Sequence, residues 1–178
     1  YKDEGINVSF GTQFIGGYNA PNFLAAITVA RHFDVATDKI IDALSHYSPG
    51  NNRSQLLETD KNTLILDAYN SNPSSLTEAI RNFISLDHPS KYLILGDMKE
   101  LGEYSKQEHQ KIVDLLTPNS TVHTLLIGPE FAKADLNKNT LSFINTKLAE
   151  TYLSQANIQK SLVLLKGSRS MKLEGLIP

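Results

Sequence analysis

From Asn62 onward, short unbroken apolar runs alternate with longer stretches of mixed polarity. Leu64-Ile65-Leu66 stops on Asp67, Leu93-Ile94-Leu95 on Gly96-Asp97, and Leu162-Val163-Leu164-Leu165 on Lys166-Gly167-Ser168-Arg169. Runs this short that are apolar at every position suit strands covered on both faces, as in a parallel sheet. The predicted strands are Thr63 to Leu66, Tyr92 to Leu95, Val122 to Ile127, Thr140 to Ile144 and Leu162 to Leu165. Between them, Asn72-Pro73 offers a cap and a first-turn proline, after which Leu76, Ala79, Ile80 and Phe83 recur at helical spacing. Ser105 and Glu108 form a capping box ahead of Ile112, Val113, Leu115 and Leu116, and Thr146 to Ala156 carries Leu148, Tyr152 and Ala156 on one helical face. Strand and helix in alternation predict an α/β fold with a mostly parallel sheet. Ser54 to Glu58, turning at Asp60-Lys61-Asn62, adds an antiparallel edge strand, so the count is five to six.

The first 48 residues follow another pattern. They predict a polar strand over Ile6 to Phe14, a Gly16-Gly17 turn, a helix over Pro21 to Phe33 and a second over Asp38 to His46. A segment of this size lacks the area for a core of its own, so residues 1–48 are expected to be a small α+β tail of a larger domain. The breaker-rich run Ser48-Pro49-Gly50-Asn51-Asn52 places a linker at 49–52 and the sheet domain at 53–178. An opening of Tyr1-Lys2-Asp3-Glu4, with neither methionine nor a signal-like apolar stretch, fits a piece of a longer protein.

Composition narrows the classes. The 178 residues are 40% hydrophobic and carry 17 basic and 19 acidic side chains, a net charge of -2. No basic field attracts nucleic acid or an anionic membrane, which leaves small molecules as the expected partners. The longest apolar stretch, Phe23 to Ala30, is far short of the roughly 20 residues that span a bilayer, so no membrane insertion is expected. Cysteine is absent, which removes disulfides and thiolate chemistry and fits a reducing compartment. The histidines at 32, 46, 88, 109 and 123 show no metal-ligand spacing, so no metal site is assigned, and His109 reads as a surface residue. No Gly-x-x-x-x-Gly-Lys-Ser/Thr occurs, so the chain by itself is not a complete P-loop enzyme.

Ligands of open parallel sheets bind outside the carboxyl ends of the strands, which directs attention to the polar groups there. Asp67 can accept ribose hydroxyls, or simply cap a loop. Asn70 and Asn72 lie close by, Asn72 being first of all a helix cap. Arg53 follows the linker, where a guanidinium suits a phosphate, although most single arginines are merely solvated. Asn19 and Asn22, three residues apart, project from one helical face and can read an adenine edge; otherwise Asn19 caps and Asn22 is solvated. Lys166, Ser168 and Arg169 around Gly167 make a candidate anion site, against the plainer reading of a turn after a strand.

In order and spacing, Gly17-Tyr18-Asn19-Ala20-Pro21-Asn22-Phe23-Leu24-Ala25-Ala26, Asn52-Arg53-Ser54, Asp67-Ala68-Tyr69-Asn70-Ser71-Asn72-Pro73 and Leu95-Gly96-Asp97-Met98-Lys99-Glu100-Leu101-Gly102-Glu103 resemble the Mur ligase family. Glu108-His109 and the closing Lys-Gly-Ser-Arg-x-Met-Lys-Leu-Glu extend that resemblance over essentially the whole chain. It implies a Rossmann-like C-terminal domain preceded by the tail of a central ATPase domain. The activity it implies is an ATP-dependent ligase of bacterial peptidoglycan synthesis. That enzyme adds D-alanyl-D-alanine to UDP-N-acetylmuramoyl-tripeptide through an acyl-phosphate, in the cytoplasm and as a monomer. ATP and Mg2+ are the implied cofactors, with the P-loop and magnesium ligands upstream.

The resemblance also places Asn19 and Asn22 near adenine, Arg53 near the ATP phosphates and Asp67 on the ribose, with Asn70 and Asn72 nearby. Lys166, Ser168 and Arg169 fall on the dipeptide or acyl-phosphate side. Tyr18 stands where many family members have histidine, and Asp97 belongs to the signature without a derivable role. The alternatives are a folylpolyglutamate synthase-like ligase domain and a non-catalytic receiver-like binding module. Against the receiver, the third strand ends on Leu126-Ile127-Gly128-Pro129 and not on an aspartate.

Overall fold

The computed structural model describes residues 2–3, 6–13, 17–116 and 122–177. Two short strands, β1 (Lys2–Asp3) and β2 (Ile6–Asn7), pair antiparallel and are followed by helices α1 (Ala20–His32) and α2 (Thr37–His46). Then come β3 (Gln55–Glu58), β4 (Thr63–Asp67), α3 (Pro73–Ser85), β5 (Lys91–Gly96), α4 (Ser105–Leu116), β6 (Val122–Ile127), β7 (Thr140–Phe143), α5 (Thr146–Gln155) and β8 (Leu162–Lys166). The six-stranded sheet has the order β3-β4-β8-β5-β6-β7, with β3 antiparallel to β4 and the rest parallel. The α/β fold and the antiparallel edge strand are as the sequence predicts. The order is not the 2-1-3-4-5 of receiver-type sheets, because the last strand enters between the first two parallel ones.

Each apolar run is divided by the pleat between two cores. In β4, Ile65 packs on one face while Leu64 and Leu66 pack on the other; in β8, Leu162 and Leu164 oppose Val163 and Leu165. On the first face α3 and α4 supply Leu76, Ile80, Phe83, Ile112 and Val113; on the second, α5 and the 3-10 turn Leu173–Leu176 supply Ala149, Leu153, Leu173 and Leu176. A strand buried on both faces has no polar alternation to show, which is why these runs read as continuous.

Local chemistry fixes the helix ends. Asn72 accepts from the Ser75 N–H at 2.9 Å, and the Ser75 hydroxyl accepts from the Asn72 N–H at 3.2 Å, a reciprocal capping box with Pro73 in the first turn. At the other end of α3, the buried Lys91 ammonium donates to the Ile84 and Leu86 carbonyls at 2.6 and 2.9 Å. A cation there satisfies orphan carbonyls and complements the helix dipole.

Several expectations are corrected. The strand foreseen over Ile6 to Phe14 is confined to Ile6–Asn7, residues 8–13 being non-strand; Phe14 and Gly16 lie outside the described residues. Ser105 makes no capping box with Glu108. It is the first residue of α4, directly after the 3-10 turn Gly102–Tyr104; its hydroxyl donates to Glu130 at 3.1 Å while Glu108 pairs with Lys111 at 2.6 Å. His109 is fully buried, not a surface residue. Among the described residues no helix is long and apolar enough to cross a membrane.

Candidate active site

The candidate polar residues form two groups, linked through the Asp67–Lys166 ion pair. The first surrounds a cavity of about 640 Å³ between the leading helices and the sheet, lined by Asn19, Asn22, Phe23, Tyr47, Arg53 and Tyr69 among others. Asn19 is buried just before α1, and the Asn22 amide donates to its Oδ1 at 3.4 Å; the side chain of Asn19 makes no helix-cap bond. Both residues are among those that line the cavity. The Arg53 guanidinium lies over the Tyr69 ring, 3.8 Å from its centroid, a stacking that holds the cation by its flat face and leaves its N–H edges for an anion.

The turn before β3 explains how Arg53 gets there. Asn51, Asn52 and Ser54 adopt left-handed backbone, with φ of 58°, 58° and 47°; asparagine tolerates that region best among residues with a side chain. The Ser54 N–H is fixed by Asp67 Oδ1 at 3.1 Å. The other oxygen of Asp67 accepts from Lys166 Nζ at 2.5 Å, both side chains being largely buried and facing each other in register across β4 and β8. Asp67 is thus one hydrogen bond from the cavity lining, through Ser54.

The second group follows β8. Ser168 is buried, its N–H donating to the Asp97 carbonyl at 3.3 Å and its Oγ accepting from the Lys99 N–H at 3.1 Å. Arg169 is exposed and pairs with Glu174 at 3.2 Å. Asn70 and Asn72 are exposed; Asn70 Oδ1 accepts from the Ser71 N–H at 2.9 Å, and Asn72 is occupied as the cap of α3. The structure therefore brings Asn19, Asn22 and Arg53 together, joins Asp67 to Lys166, and leaves Arg169 at the rim.

Asp97 and His109 are the site-edge residues whose setting the sequence reading missed. The Asp97 carboxylate is fully buried and accepts the Glu130 and Phe131 N–H groups, each at 3.0 Å. His109 Nε2 accepts from the Met98 N–H at 3.1 Å, so the proton sits on Nδ1, which donates to the Ser105 carbonyl at 2.7 Å. With a lone pair at Nε2, the 3.6 Å approach to Asp97 Oδ1 is a contact with a neutral ring, not an ion pair. The signal was present: His109 lies three, four and seven residues before Ile112, Val113 and Leu116, on the buried stripe of α4. Glu130, held by Lys133 at 2.6 Å and by the Ser105 hydroxyl, has its carboxyl pKa lowered, the Lys133 hydrogen bond being the main cause. Among the described residues no group of three or more His, Cys, Asp or Glu converges on a metal position.

The model of the Mur ligase, glutamate ligase domain matches residues 52–169. A UDP-N-acetylmuramoyl-tripeptide--D-alanyl-D-alanine ligase of Bacillus subtilis is 31% identical over 183 residues, covering 98% of this chain and 40% of that protein. Of solved structures, MurF from Acinetobacter baumannii superposes with a TM-score of 0.76 at 26% identity, over 93% of this chain and 37% of the other. MurF ligase from Thermotoga maritima in complex with ADP gives 0.75 at 23%, over 92% and 38%. The chain thus spans about 40% of the length of the Bacillus relative it matches.

Proposed function

Because this chain belongs to the Mur ligase family, we propose that it is the rear portion of an ATP-dependent ligase that joins D-alanyl-D-alanine to UDP-N-acetylmuramoyl-tripeptide in peptidoglycan synthesis. The observation that carries the reading is the alignment of nearly the whole chain with a ligase of that name. The cavity is compatible with it: a volume of about 640 Å³ lies in the usual range for small-ligand sites, and its lining combines amides, an aromatic face and one guanidinium.

On this reading Asn19 and Asn22 face adenine, and Arg53 faces the phosphates. Asp67, which has spare lone pairs beyond its bonds to Ser54 and Lys166, takes a ribose hydroxyl. Asn70 and Asn72 flank that side, Asn72 through its amide end. Lys166, Ser168 and Arg169 mark the amine-substrate side at the end of β8. ATP supplies the phosphoryl group that activates the tripeptide carboxylate. The residues of this chain position the partners and stabilise charge without covalent catalysis. Magnesium and phosphate-loop groups are assigned to the part of the protein preceding this chain, as is most of the UDP-sugar site. The protein works in the bacterial cytoplasm as a monomer.

The test is phosphate release and amide formation by the full-length protein supplied with ATP, UDP-N-acetylmuramoyl-tripeptide and D-alanyl-D-alanine. Product is expected from that protein, with a raised KM for ATP in Arg53→Ala, and none from the 178 residues alone. Turnover by the short chain, or a full-length protein that accepts glutamate in place of the dipeptide, defeats the proposal.

A further inference from the structure

Three of the loops that leave the carboxyl edge of the sheet, those after β5, β6 and β8, are tied together by one buried cluster. Asp97, the first residue after β5, receives both amides of the β6 loop at Glu130 and Phe131 through its carboxylate and the Ser168 amide through its carbonyl. A side chain on Gly128 would fall onto that carboxylate, and Gly128 has φ +131°, so the β6 loop is shaped around it. His109 completes the enclosure from α4: its ring meets Phe131 edge-on, with centroids 4.6 Å apart, and its Nε2 takes the Met98 N–H. The next amide, Lys99 N–H, is thereby aimed at Ser168 Oγ.

Hydroxyl oxygen has two acceptor sites and one proton. With Lys99 N–H on the oxygen, the Ser168 proton is left to be donated to an acceptor. We propose that Asp97 and His109 are positioning residues for the amine substrate: they hold the Met98–Lys99 backbone so that the Ser168 hydroxyl is presented as a donor to the carboxylate of the incoming dipeptide. Neither side chain touches substrate; each acts through the loop. This rests on the ligase reading above and adds to it a reason why a buried, neutral histidine sits two hydrogen bonds from Ser168 and a buried aspartate one. The burial has a cost, since a carboxylate without water must be repaid by donors and opposite charge; the two amides of the β6 loop supply the first, and the Lys99 ammonium, 3.9 Å from Oδ2, supplies the second.

The experiment compares His109→Leu, His109→Gln and Ser168→Ala in the full-length protein, with KM for D-alanyl-D-alanine and KM for ATP measured separately. His109→Leu leaves the Met98 N–H without an acceptor and is expected to raise the dipeptide KM about tenfold, the effect of losing one hydrogen bond to a charged group. The ATP KM stays within about twofold, because Asn19, Asn22 and Arg53 line the cavity whereas His109 and Ser168 do not. Glutamine, whose Oε1 can accept the same N–H, restores most of the loss. The double variant His109→Leu/Ser168→Ala is expected to be no worse for the dipeptide than Ser168→Ala alone. Equal changes in both KM values, unchanged KM values with reduced stability only, or full additivity in the double variant would overturn the inference. A wild-type protein that makes no amide with the dipeptide removes the ligase reading alone. The clamp is then read by amide hydrogen exchange at Met98 and Lys99, and unaltered protection in His109→Leu overturns it.

Discussion

The sheet and the helices that precede it treat apolar side chains in opposite ways. In β4, β5, β6 and β8 the leucines and isoleucines are nearly all sealed between two helical layers, and Phe83 and Phe131 are fully buried beside them. In α1 and α2 only Ile27 and Ile40 are buried, whereas Leu24 is 58% exposed, Val29 58% and Phe33 73%. Burial of apolar area is the main favourable term in folding, at roughly 25 cal/mol per Å². The sheet therefore carries its own stability, while the leading helices bury little apolar area within the described residues.

The sharpest way to break this contrast is a pair of phenylalanines. Phe83→Ala empties a site between α3 and the sheet and is expected to cost about 3–5 kcal/mol, while Phe33→Ala at the C-cap of α1 stays within about 0.5 kcal/mol. Urea unfolding of the 178-residue chain measures both; comparable losses would mean that the leading helices share the sheet's core. Smaller in effect is Asn62→Ala. That buried amide donates to the Ile158 carbonyl at 2.9 Å and accepts the Ser161 N–H at 3.1 Å, so removing it leaves two buried groups unpaired and costs about 1–3 kcal/mol. Removal of residues 1–47 comes next: the remaining chain is expected to keep a cooperative transition with Phe83 still protected, and loss of the far-ultraviolet signal would contradict the contrast. Smallest is the pH response of Glu130. Its pKa is lowered in the folded chain, so its contribution is present above the usual carboxylate range and fades as pH falls through the lowered value. Glu130→Gln should flatten the acid limb of a stability curve slightly, as befits a partly exposed pair.

The strands were legible because double-sided burial leaves a simple imprint, a short run of branched apolar residues, and α3 was legible because Asn72-Pro73 is a local start signal. What escaped depends on distance along the chain. Nothing near Asp67 announces that Lys166, 99 residues later, will neutralise it. His109 was misread because it was taken as a single polar residue and not with the stripe at Ile112 and Val113. The strand foreseen over residues 6–14 failed for a related reason: polar alternation specifies a strand weakly when no sheet face is there to bury one side. In the candidate site, the partners within one turn of chain were readable, while the ion pair and the cluster around Asp97 became visible only once the sheet order was known.

That order has a consequence for how the chain comes to exist. β8 comes after every other strand of this sheet in the chain, yet it lies between β4 and β5 and pairs with both. Until residues 162–166 emerge, β4 has β3 alone as a sheet neighbour, and the strands on either side of the gap expose paired rows of unused amides and carbonyls. Such edges invite pairing with other chains, and contacts of this sequence separation form late. The middle of the sheet is thus closed by the latest of its own strands to emerge, and a chain cut short before Leu162 is left with two half-sheets and no keystone.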